Sequence, residues 1–389
     1  MELILKQYDI PLLRFSATND SSTPEIEVHW INEDQRHLLP LDMELSPEGI
    51  SRWMRRRTIP RNRAYVNRLL AKCGLNANRP MGILALCKGL SVDDSYWVVE
   101  EGFEGTFEKY NLFENRFSEV LALIAFTGYG SSNRSSLASS PEFTTNGMLP
   151  KCWRRISGKV TLYKGGTDGG YNTGAEPYCE YYAAQVAAAM GIDAIPYGLS
   201  QWKGRLCSTC ELFTDIDHAY MPIGNLVQRG GFDAVAAYYE NLGEPFQKAF
   251  RDMLVFDAVI CNTDRHYGNF GFIIDNKTNT IAAPAPLFDH GNSLFNQAGP
   301  EDYENAEAFQ QYINTLVPCV YDDFFATAKR FMADENREQL RKLLGFRFKR
   351  HVRYNLPPKR LKLMEEQVRK RAMRLLESKK PSITLYSFN

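Results

Sequence analysis

The chain has 389 residues, too many for one ordinary hydrophobic core, so two or three folded units are expected. Its residues are 44% hydrophobic and 12% aromatic, which excludes an intrinsically disordered protein. Lysine plus arginine and aspartate plus glutamate number 46 each, so the overall charge of zero indicates no particular class of partner.

The cysteines and the apolar runs indicate where the chain functions. Eight cysteines lie mostly in apolar runs, which favours reduced thiols in a cytoplasmic protein over a disulfide framework. Cys207 and Cys210 form the one C-x-x-C pair, and without a second pair at zinc spacing we expect a plain buried strand there. The sequence opens without a recognisable signal peptide and has no run of about 18 apolar residues, so we expect no membrane association.

Residues 1–130 are predicted to form an N-terminal accessory region of mixed β and α structure. Residues 1–45 are rich in strand signals, and Ser46 and Pro47 then begin a helix as its N-cap and first residue. Seven arginines follow between Arg52 and Arg68. One interpretation is a patch that binds the phosphates of nucleic acid or a protein partner. The other, which the nearby apolar stripe favours, is a solvated face whose arginine stems cover apolar residues.

A change in composition marks the next boundary. Residues 128–140 are rich in glycine and serine, which predicts a linker or mobile loop. A turn around Gly147 then leads into two strands, the second of which ends at Lys164. Such a turn can cover nucleotide phosphates with backbone N–H groups, although an ordinary hairpin is the alternative because no G-x-G-x-x-G is present. A helix is expected over residues 176–190.

The most informative stretch is Asn262-Thr-Asp-Arg-His-Tyr-Gly-Asn-Phe270 with the segment that follows it. Two apolar runs around a turn near residue 279 predict a hairpin, which brings Asn269 and Asp289 side by side. Their oxygen atoms suit Mg²⁺, which takes one or two hard ligands from protein and the rest from phosphates and water. Asp264 precedes Asn269 by the spacing found in kinase catalytic loops. We therefore expect Asp264 to orient the attacking hydroxyl and Asn269 and Asp289 to bind metal.

The D-R-H-Y-G-N core of this stretch, together with Leu287-Phe-Asp-His-Gly-Asn-Ser293, resembles the HipA-like serine/threonine kinases, which are bacterial proteins with a protein-kinase-like fold. Phosphoinositide kinases share the D-R-H-x-x-N loop. The resemblance covers about residues 140–300 and implies a two-lobed α+β fold. Its parts would be a nucleotide-binding N-lobe at residues 141–213 and a C-lobe at residues 214–389, ending in a helical and basic C-terminus.

The resemblance also implies which residues bind ATP. Lys164 would contact the phosphates, and Glu180 on the following helix would orient it by an ion pair, as in other kinases. The turn at Gly147 would cover the phosphates. The crossing between the lobes would include Glu211 and Phe213, where backbone groups hold adenine.

Two further residues of this region have open roles. His266 is expected near the nucleotide or the metal, and a histidine satisfied within its own loop is an equal alternative. Thr144 falls where the HipA-like family carries an autophosphorylated serine, so autophosphorylation is a further expectation that the different residue type weakens.

The function expected from these features is ATP- and Mg²⁺-dependent phosphorylation of serine or threonine on a protein substrate. The alternatives are a phosphoinositide or small-molecule kinase, and a non-catalytic regulator that binds nucleic acid or protein. Residues 341–380 contain 15 lysines and arginines but three acidic residues, so this basic C-terminus is a second surface for nucleic acid or simply a solvated helix face. The resemblance adds an antitoxin-like or DNA-binding partner encoded elsewhere.

Overall fold

The computed structural model describes residues 1–18, 23–130, 140–169 and 174–377. Most of the linker predicted at residues 128–140, and the end of the basic run at residues 378–380, lie outside these ranges. The chain divides into two compact units. The first comprises Met1–Asp168, Gly198–Leu226 and Gly271–Ala285, and the second comprises Gly169–Tyr197, Val227–Phe270 and Pro286–Asn389. The three-part division expected from the sequence stays a prediction.

Eleven strands occur in the described ranges, and all belong to the first unit. They are β1 (Glu2–Gln7), β2 (Ile10–Ala17), β3 (Ile26–Ile31), β4 (Tyr96–Glu100), β5 (Lys151–Ile156), β6 (Lys159–Gly165), β7 (Gly198–Trp202), β8 (Arg205–Glu211), β9 (His218–Pro222), β10 (Gly271–Asp275) and β11 (Thr280–Pro284). They form three sheets with the orders β3-β2-β1-β4, β5-β6-β8-β7 and β11-β10-β9.

Thirteen α-helices occur in the same ranges. They are α1 (Pro47–Arg56), α2 (Val66–Lys72), α3 (Pro80–Cys87), α4 (Phe107–Tyr110), α5 (Glu119–Thr127), α6 (Glu176–Met190), α7 (Ile223–Leu226), α8 (Gly231–Asn241), α9 (Glu244–Ile260), α10 (Ala306–Ile313), α11 (Phe324–Phe331), α12 (Asp334–Arg341) and α13 (Pro358–Leu376). Two short 3₁₀ helices lie at Glu33–Leu38 and Pro141–Phe143. None of the helices in the described part of the chain is both long and apolar enough to cross a bilayer.

The first unit contains the N-terminal sheet and the sheet that carries Lys164. Helix α1 begins as the sequence predicts, because the Ser46 side chain accepts a hydrogen bond from the N–H of Gly49 at 3.1 Å. In the second sheet β5 and β6 are antiparallel, and Lys151 stands opposite Lys164. Every strand pair in the described sheets is antiparallel.

The hairpin predicted around residue 279 is present as β10 and β11. The two strands pair from Phe272 opposite Pro284 to Asp275 opposite Thr280, with an irregularity after Ile273. Asn279 closes the turn in the left-handed conformation, with φ 52°, which Asn tolerates better than most residues.

The second unit is helical apart from its connections. Helix α9 is buried along most of its second half, from Phe250 to Ile260, as its apolar spacing predicts. Helix α13 packs against α9, and Arg371 on α13 donates a hydrogen bond to the carbonyl of Ala258 at 2.6 Å. The helices that the sequence predicts beyond residue 300 are α10 to α13. This core fixes the end of α9, from which the candidate active site begins.

Candidate active site

The loop that carries Asp264 begins where α9 ends. Cys261 adopts the left-handed conformation with φ 54°, and its N–H bonds to the carbonyl of Asp257. The N–H of Asn262 bonds to the same carbonyl at 3.1 Å. Both bonds end on one of the last carbonyl groups of the helix, and the left-handed residue turns the chain sharply into the loop.

A buried ion pair holds this loop in shape. The side chain of Arg265 is 1% exposed and that of Asp257 is fully buried. Arg265 donates from Nε to Asp257 Oδ2 at 2.9 Å and from Nη2 to Oδ1 at 3.0 Å, the forked geometry that makes arginine–carboxylate pairs strong. Burial is the largest single effect and lowers the pKa of Arg265, but the charge of Asp257, the hydrogen bonds to it and the charge of Asp289 together outweigh burial, so the pKa is raised. The guanidinium therefore keeps its charge inside the protein.

The same guanidinium joins the two segments that the hairpin was predicted to bring together. Its Nη1 donates to the carbonyl of Asn269 at 3.1 Å and to the carbonyl of Phe288 at 2.6 Å. Its Nη2 lies 3.0 Å from Nδ1 of His290. Phe288 and His290 flank Asp289. The main chain at Asn269 and the main chain beside Asp289 therefore meet at Arg265.

Asn292 ties the carboxylate of Asp264 to this second segment. Its Nδ2 donates to Asp264 Oδ2 at 2.8 Å, and its carbonyl accepts from both the N–H and the hydroxyl of Thr263 at 3.1 Å. The Asp264 side chain is half-buried, and its N–H bonds to Asn262 Oδ1 at 3.1 Å. One oxygen of the Asp264 carboxylate, Oδ2, is thus held by Asn292.

The two predicted metal ligands offer hard oxygen atoms. Asn269 is buried and donates through Nδ2 to the carbonyl of Asp264 at 3.2 Å, so Oδ1 is the atom it can offer to a cation. Asp289 is half-buried in the left-handed conformation, with φ 54°, and its N–H donates to the Tyr197 hydroxyl at 3.1 Å. Non-glycine residues rarely adopt this conformation, and those that do are often found at functional sites.

This donor set fits Mg²⁺, which binds one or two protein oxygens and completes its shell with phosphates and water. Within the described ranges, no group of three or more His, Cys, Asp or Glu side chains could hold a metal ion on its own. A cation at Asn269 and Asp289 would therefore depend on its nucleotide for further ligands.

Glu180 supports the Asp289 segment. It lies fully buried on α6, and its Oε2 accepts a hydrogen bond from the N–H of His290 at 2.8 Å. The buried ring of His290 packs edge-on against Phe256, with ring centroids 5.2 Å apart. The partner expected from the sequence, Lys164, belongs to the other unit. The ion pair between Lys164 and Glu180 stays a prediction.

His266 lies on the exposed side of the loop. Its Nδ1 accepts a hydrogen bond from the N–H of Gly268 at 3.0 Å, so the ring is satisfied within its own loop through that atom. In the neutral ring Nε2 then carries the hydrogen. The structure thus shows the loop contact, and a contact with nucleotide or metal stays a prediction.

The other predicted nucleotide-binding residues lie in the first unit. Lys164 is buried near the end of β6, between Lys151 on β5 and Ser208 on β8. Gly147 adopts φ 91° in the turn before β5. Glu211 ends β8 with an exposed carboxylate that accepts from Lys159 Nζ at 2.7 Å.

Two more residues of this unit bear on the predicted functions. Phe213 packs edge-on against Tyr220, with ring centroids 5.5 Å apart. Thr144 is buried, and its hydroxyl donates to the carbonyl of Leu90 at 2.9 Å. Autophosphorylation at Thr144 would require this buried hydroxyl to leave its pocket first.

Sequence reasoning did not assign a role to Asp257 or to Asn292. A signal for Asp257 was present, since an acidic residue inside the apolar run Met253–Ile260 must be paired when the helix is buried. For Asn292 only its place three residues after Asp289 could have drawn attention, and asparagine there is equally consistent with a turn.

The comparisons with known proteins bear on the fold of the chain. No family model matches the chain. The serine/threonine-protein kinase CtkA of Helicobacter pylori is 27% identical over 135 residues, which are 31% of this chain and 41% of that kinase. The chain thus matches about two fifths of the length of this curated relative.

Two solved structures share the fold. The crystal structure of the H. pylori proinflammatory kinase CtkA has a TM-score of 0.50 at 16% identity, over 60% of this chain and 90% of CtkA. HipA of Shewanella oneidensis, solved with HipB and operator DNA, has a TM-score of 0.52 at 13% identity, over 96% of this chain and 97% of HipA. The predicted α+β, protein-kinase-like fold class is confirmed, and the second likeness extends it over the N-terminal region.

Proposed function

We propose that this chain, which is HipA-like in sequence and in fold, is a kinase that uses ATP and Mg²⁺ to phosphorylate serine or threonine on a protein. The observation that carries the proposal is the position of Asp264. Its carboxylate is held by Asn292, in a loop whose buried Arg265 also binds the main chain beside both predicted metal ligands. Phosphoryl transfer depends chiefly on such positioning and on charge stabilisation.

In the proposed reaction Asp264 orients the substrate hydroxyl and accepts its proton as the bond to phosphorus forms. The bond from Asn292 to Oδ2 fixes the plane of the carboxylate, so that Oδ1 receives the hydrogen. Asn269 and Asp289 would hold Mg²⁺, which when bound neutralises charge on the phosphates. Glu180 would help to position Asp289 indirectly, because it accepts a hydrogen bond from the N–H of the next residue, His290.

Residues of the first unit would bind the nucleotide. Lys164 would pair with the phosphates as a fixed cation, and the turn at Gly147 would offer backbone N–H groups to them. Glu211 and Phe213 would contribute backbone groups to adenine recognition. The buried position of Lys164 favours this role, because interactions between charges are screened less inside a protein than in water.

The HipA neighbour was solved with HipB and operator DNA, and we propose an antitoxin-like or DNA-binding partner for this chain by analogy. The arginine cluster at Arg52–Arg68 is a weaker surface for such a partner than its sequence indicates. Arg57 and Arg63 are buried within the first unit, and Arg56 is paired with Asp42 at 2.8 Å. The basic surface that remains a better candidate is the exposed run after Leu343, which includes Arg347, Lys349 and Arg353.

A direct test is incubation of the purified protein with γ-labelled ATP and Mg²⁺, once with a generic protein substrate and once with phosphoinositide vesicles. The proposal predicts label on serine or threonine of protein and none on lipid. Label on lipid alone would favour the phosphoinositide kinase alternative. Absence of transfer, together with absence of any ATP-dependent rise in melting temperature, would favour the non-catalytic regulator.

A further inference from the structure

We infer that Arg63 is a positioning residue for nucleotide binding, because it fixes both ends of the loop at residues 142–151 that is proposed to cover the phosphates. The inference rests on the proposed function and extends it to a residue of the N-terminal region. Arg63 lies 79 residues before Glu142, outside every motif that identifies the catalytic loop.

The guanidinium of Arg63 contacts the start and the end of the loop at once. Its Nη1 donates to the carbonyls of Glu142 at 2.7 Å and Thr145 at 3.3 Å. Its Nη2 donates to the carbonyl of Lys151 at 2.8 Å and to Glu142 Oε2 at 2.5 Å. Both side chains of the Arg63–Glu142 pair are fully buried. A planar fork with fixed donors is the side chain best suited to hold several acceptors in one arrangement.

Glu142 completes the connection to the sheet. Its Oε1 accepts a hydrogen bond from the N–H of Trp153 on β5 at 2.8 Å. Burial raises the pKa of Glu142, and the charge of Arg63 opposes this effect. Removing either partner would leave the other buried without its countercharge, which is costly. The Arg63–Glu142 pair therefore anchors the loop to β5, and losing either partner should destabilise the folded protein.

Two carbonyl groups in the middle of the loop are also bound within the protein. The carbonyl of Asn146 accepts from Lys151 Nζ at 2.8 Å, and that of Met148 accepts from the N–H of Ala64 at 2.8 Å. Residues 146–148 are exposed, and within the described ranges their N–H groups donate to no main-chain carbonyl. Carbonyls bound inside and N–H groups left for a ligand are the arrangement of an anion-binding turn.

Gly147 supports the same arrangement. Its φ of 91° lies where side chains are strained, and a Cβ added there would collide with Lys151 Nζ. Lys151 also stands opposite Lys164 across β5 and β6. The turn that Arg63 fixes is therefore joined to the strand pair that carries the proposed phosphate-binding lysine.

Arg57 provides a matched control within the same unit. It is also buried, and it donates to Asp94 Oδ2 at 2.7 Å and Oδ1 at 2.8 Å. It binds the carbonyls of Gly89 and Tyr96, each at 2.8 Å, and no part of the 142–151 loop. Changing Arg57 thus removes a buried arginine–carboxylate pair that lies outside the 142–151 loop.

The experiment compares Arg63→Lys, Arg57→Lys and wild type by hydrogen exchange without nucleotide, calorimetry with ATP·Mg²⁺, and steady-state kinetics. Lysine keeps the charge but cannot reach four acceptors at once. We expect faster exchange at residues 142–151 only in Arg63→Lys, and a Kd for ATP·Mg²⁺ raised roughly tenfold or more, as for a displaced binding group. The KM for ATP should rise more than kcat falls, while Arg57→Lys should bind ATP·Mg²⁺ like wild type.

Glu142→Gln serves if Arg63→Lys does not fold, because the amide retains the shape and the carbonyl contacts of Arg63. Glu142→Gln should raise the Kd for ATP·Mg²⁺ less than Arg63→Lys does. If this Kd is unchanged in both variants, or in whichever of them folds, the inference is wrong. An equal rise in Arg57→Lys would also overturn it, by showing a general loss of stability. If wild type does not bind ATP·Mg²⁺, the proposed function and the inference fail together. Binding by wild type with no effect of Arg63→Lys rejects the inference alone.

Discussion

The catalytic loop at residues 262–269 and the turn at residues 142–151 lie in different units, yet each is held by a buried arginine paired with a buried carboxylate. In the first, Arg265 pairs with Asp257 and binds the carbonyls of Asn269 and Phe288. In the second, Arg63 pairs with Glu142 and binds main-chain carbonyls at both ends of the loop.

The difference is the distance along the chain. Arg265 belongs to the loop it holds and is eight residues from Asp257, whereas Arg63 is separated from its loop by most of the N-terminal region. Both loops are thus held in the same way, by a buried arginine that pairs with a carboxylate and binds main-chain carbonyls. Of the two arginines, only Arg265 is part of a recognisable motif, the D-R-H-Y-G-N sequence of its own loop.

The largest effect is expected from Asp264→Ala, which separates catalysis from nucleotide binding. The variant should lose roughly 10²- to 10⁴-fold in kcat, because it removes the group that orients and deprotonates the hydroxyl. Its affinity for ATP·Mg²⁺, measured by calorimetry, should stay within about twofold of wild type. A comparable loss of affinity would mean that Asp264 itself helps to hold the nucleotide, and its assignment as the residue that acts on the substrate hydroxyl alone would fail.

The two arginine anchors should contribute similarly to stability. Arg265→Met and Arg63→Met each leave a buried carboxylate unpaired, so each should lower the free energy of unfolding by about 3–5 kcal/mol in urea denaturation. Arg330→Met is the control, since Arg330 and Asp233 form an exposed pair worth less than about 1 kcal/mol. If either buried variant loses no more than Arg330→Met, that anchor does not hold its loop.

The metal role of Asp289 can be isolated by chelation. Asp289→Ala should raise the Kd for ATP·Mg²⁺ by roughly tenfold to a hundredfold, because a charged ligand of the cation is lost. With EDTA in place of Mg²⁺, the variant and wild type should bind ATP equally weakly. Equal affinities of the two proteins in the presence of Mg²⁺ would reject Asp289 as a ligand.

The smallest effect is expected from Asn292→Ala, which removes one hydrogen bond to Asp264. A bond to a charged acceptor is worth about 1.5–3 kcal/mol, and since Asp264 is only half-buried we expect the lower end of this range, which lowers kcat roughly tenfold. Asn296→Ala is the control, because the side chain of Asn296 donates to Oδ1 of Asn292 at 2.9 Å rather than to Asp264. A pH profile of kcat that shifts in Asn292→Ala and not in Asn296→Ala would show that Asn292 acts through the carboxylate.

The sequence predicted the parts of the site that depend on local pattern. The hairpin around residue 279 and helix α6 follow from turn residues, caps and apolar runs. The hairpin pattern predicts that Asn269 and Asp289 lie side by side, and the main chain at Asn269 and beside Asp289 meets at Arg265.

The sequence could not predict contacts between residues that lie far apart along the chain. Arg63 stands among seven arginines that look alike in sequence, and only the structure distinguishes the buried ones from the solvated ones. The bond from His290 to Glu180 spans 110 residues, and it shows a second use for a glutamate that was expected only to orient Lys164. Charge and residue type alone do not determine which partner a buried group finds.

The central claim is that Asp264 directs ATP-dependent phosphoryl transfer, and mass spectrometry of phosphorylated sites tests it most directly. Wild type and Asp264→Ala would be produced in parallel, and the phosphorylated serines and threonines in each culture quantified. The account predicts sites that are present with wild type and absent with Asp264→Ala, although both proteins are folded and bind ATP·Mg²⁺. The same phosphorylated sites at the same occupancy in both cultures would contradict it.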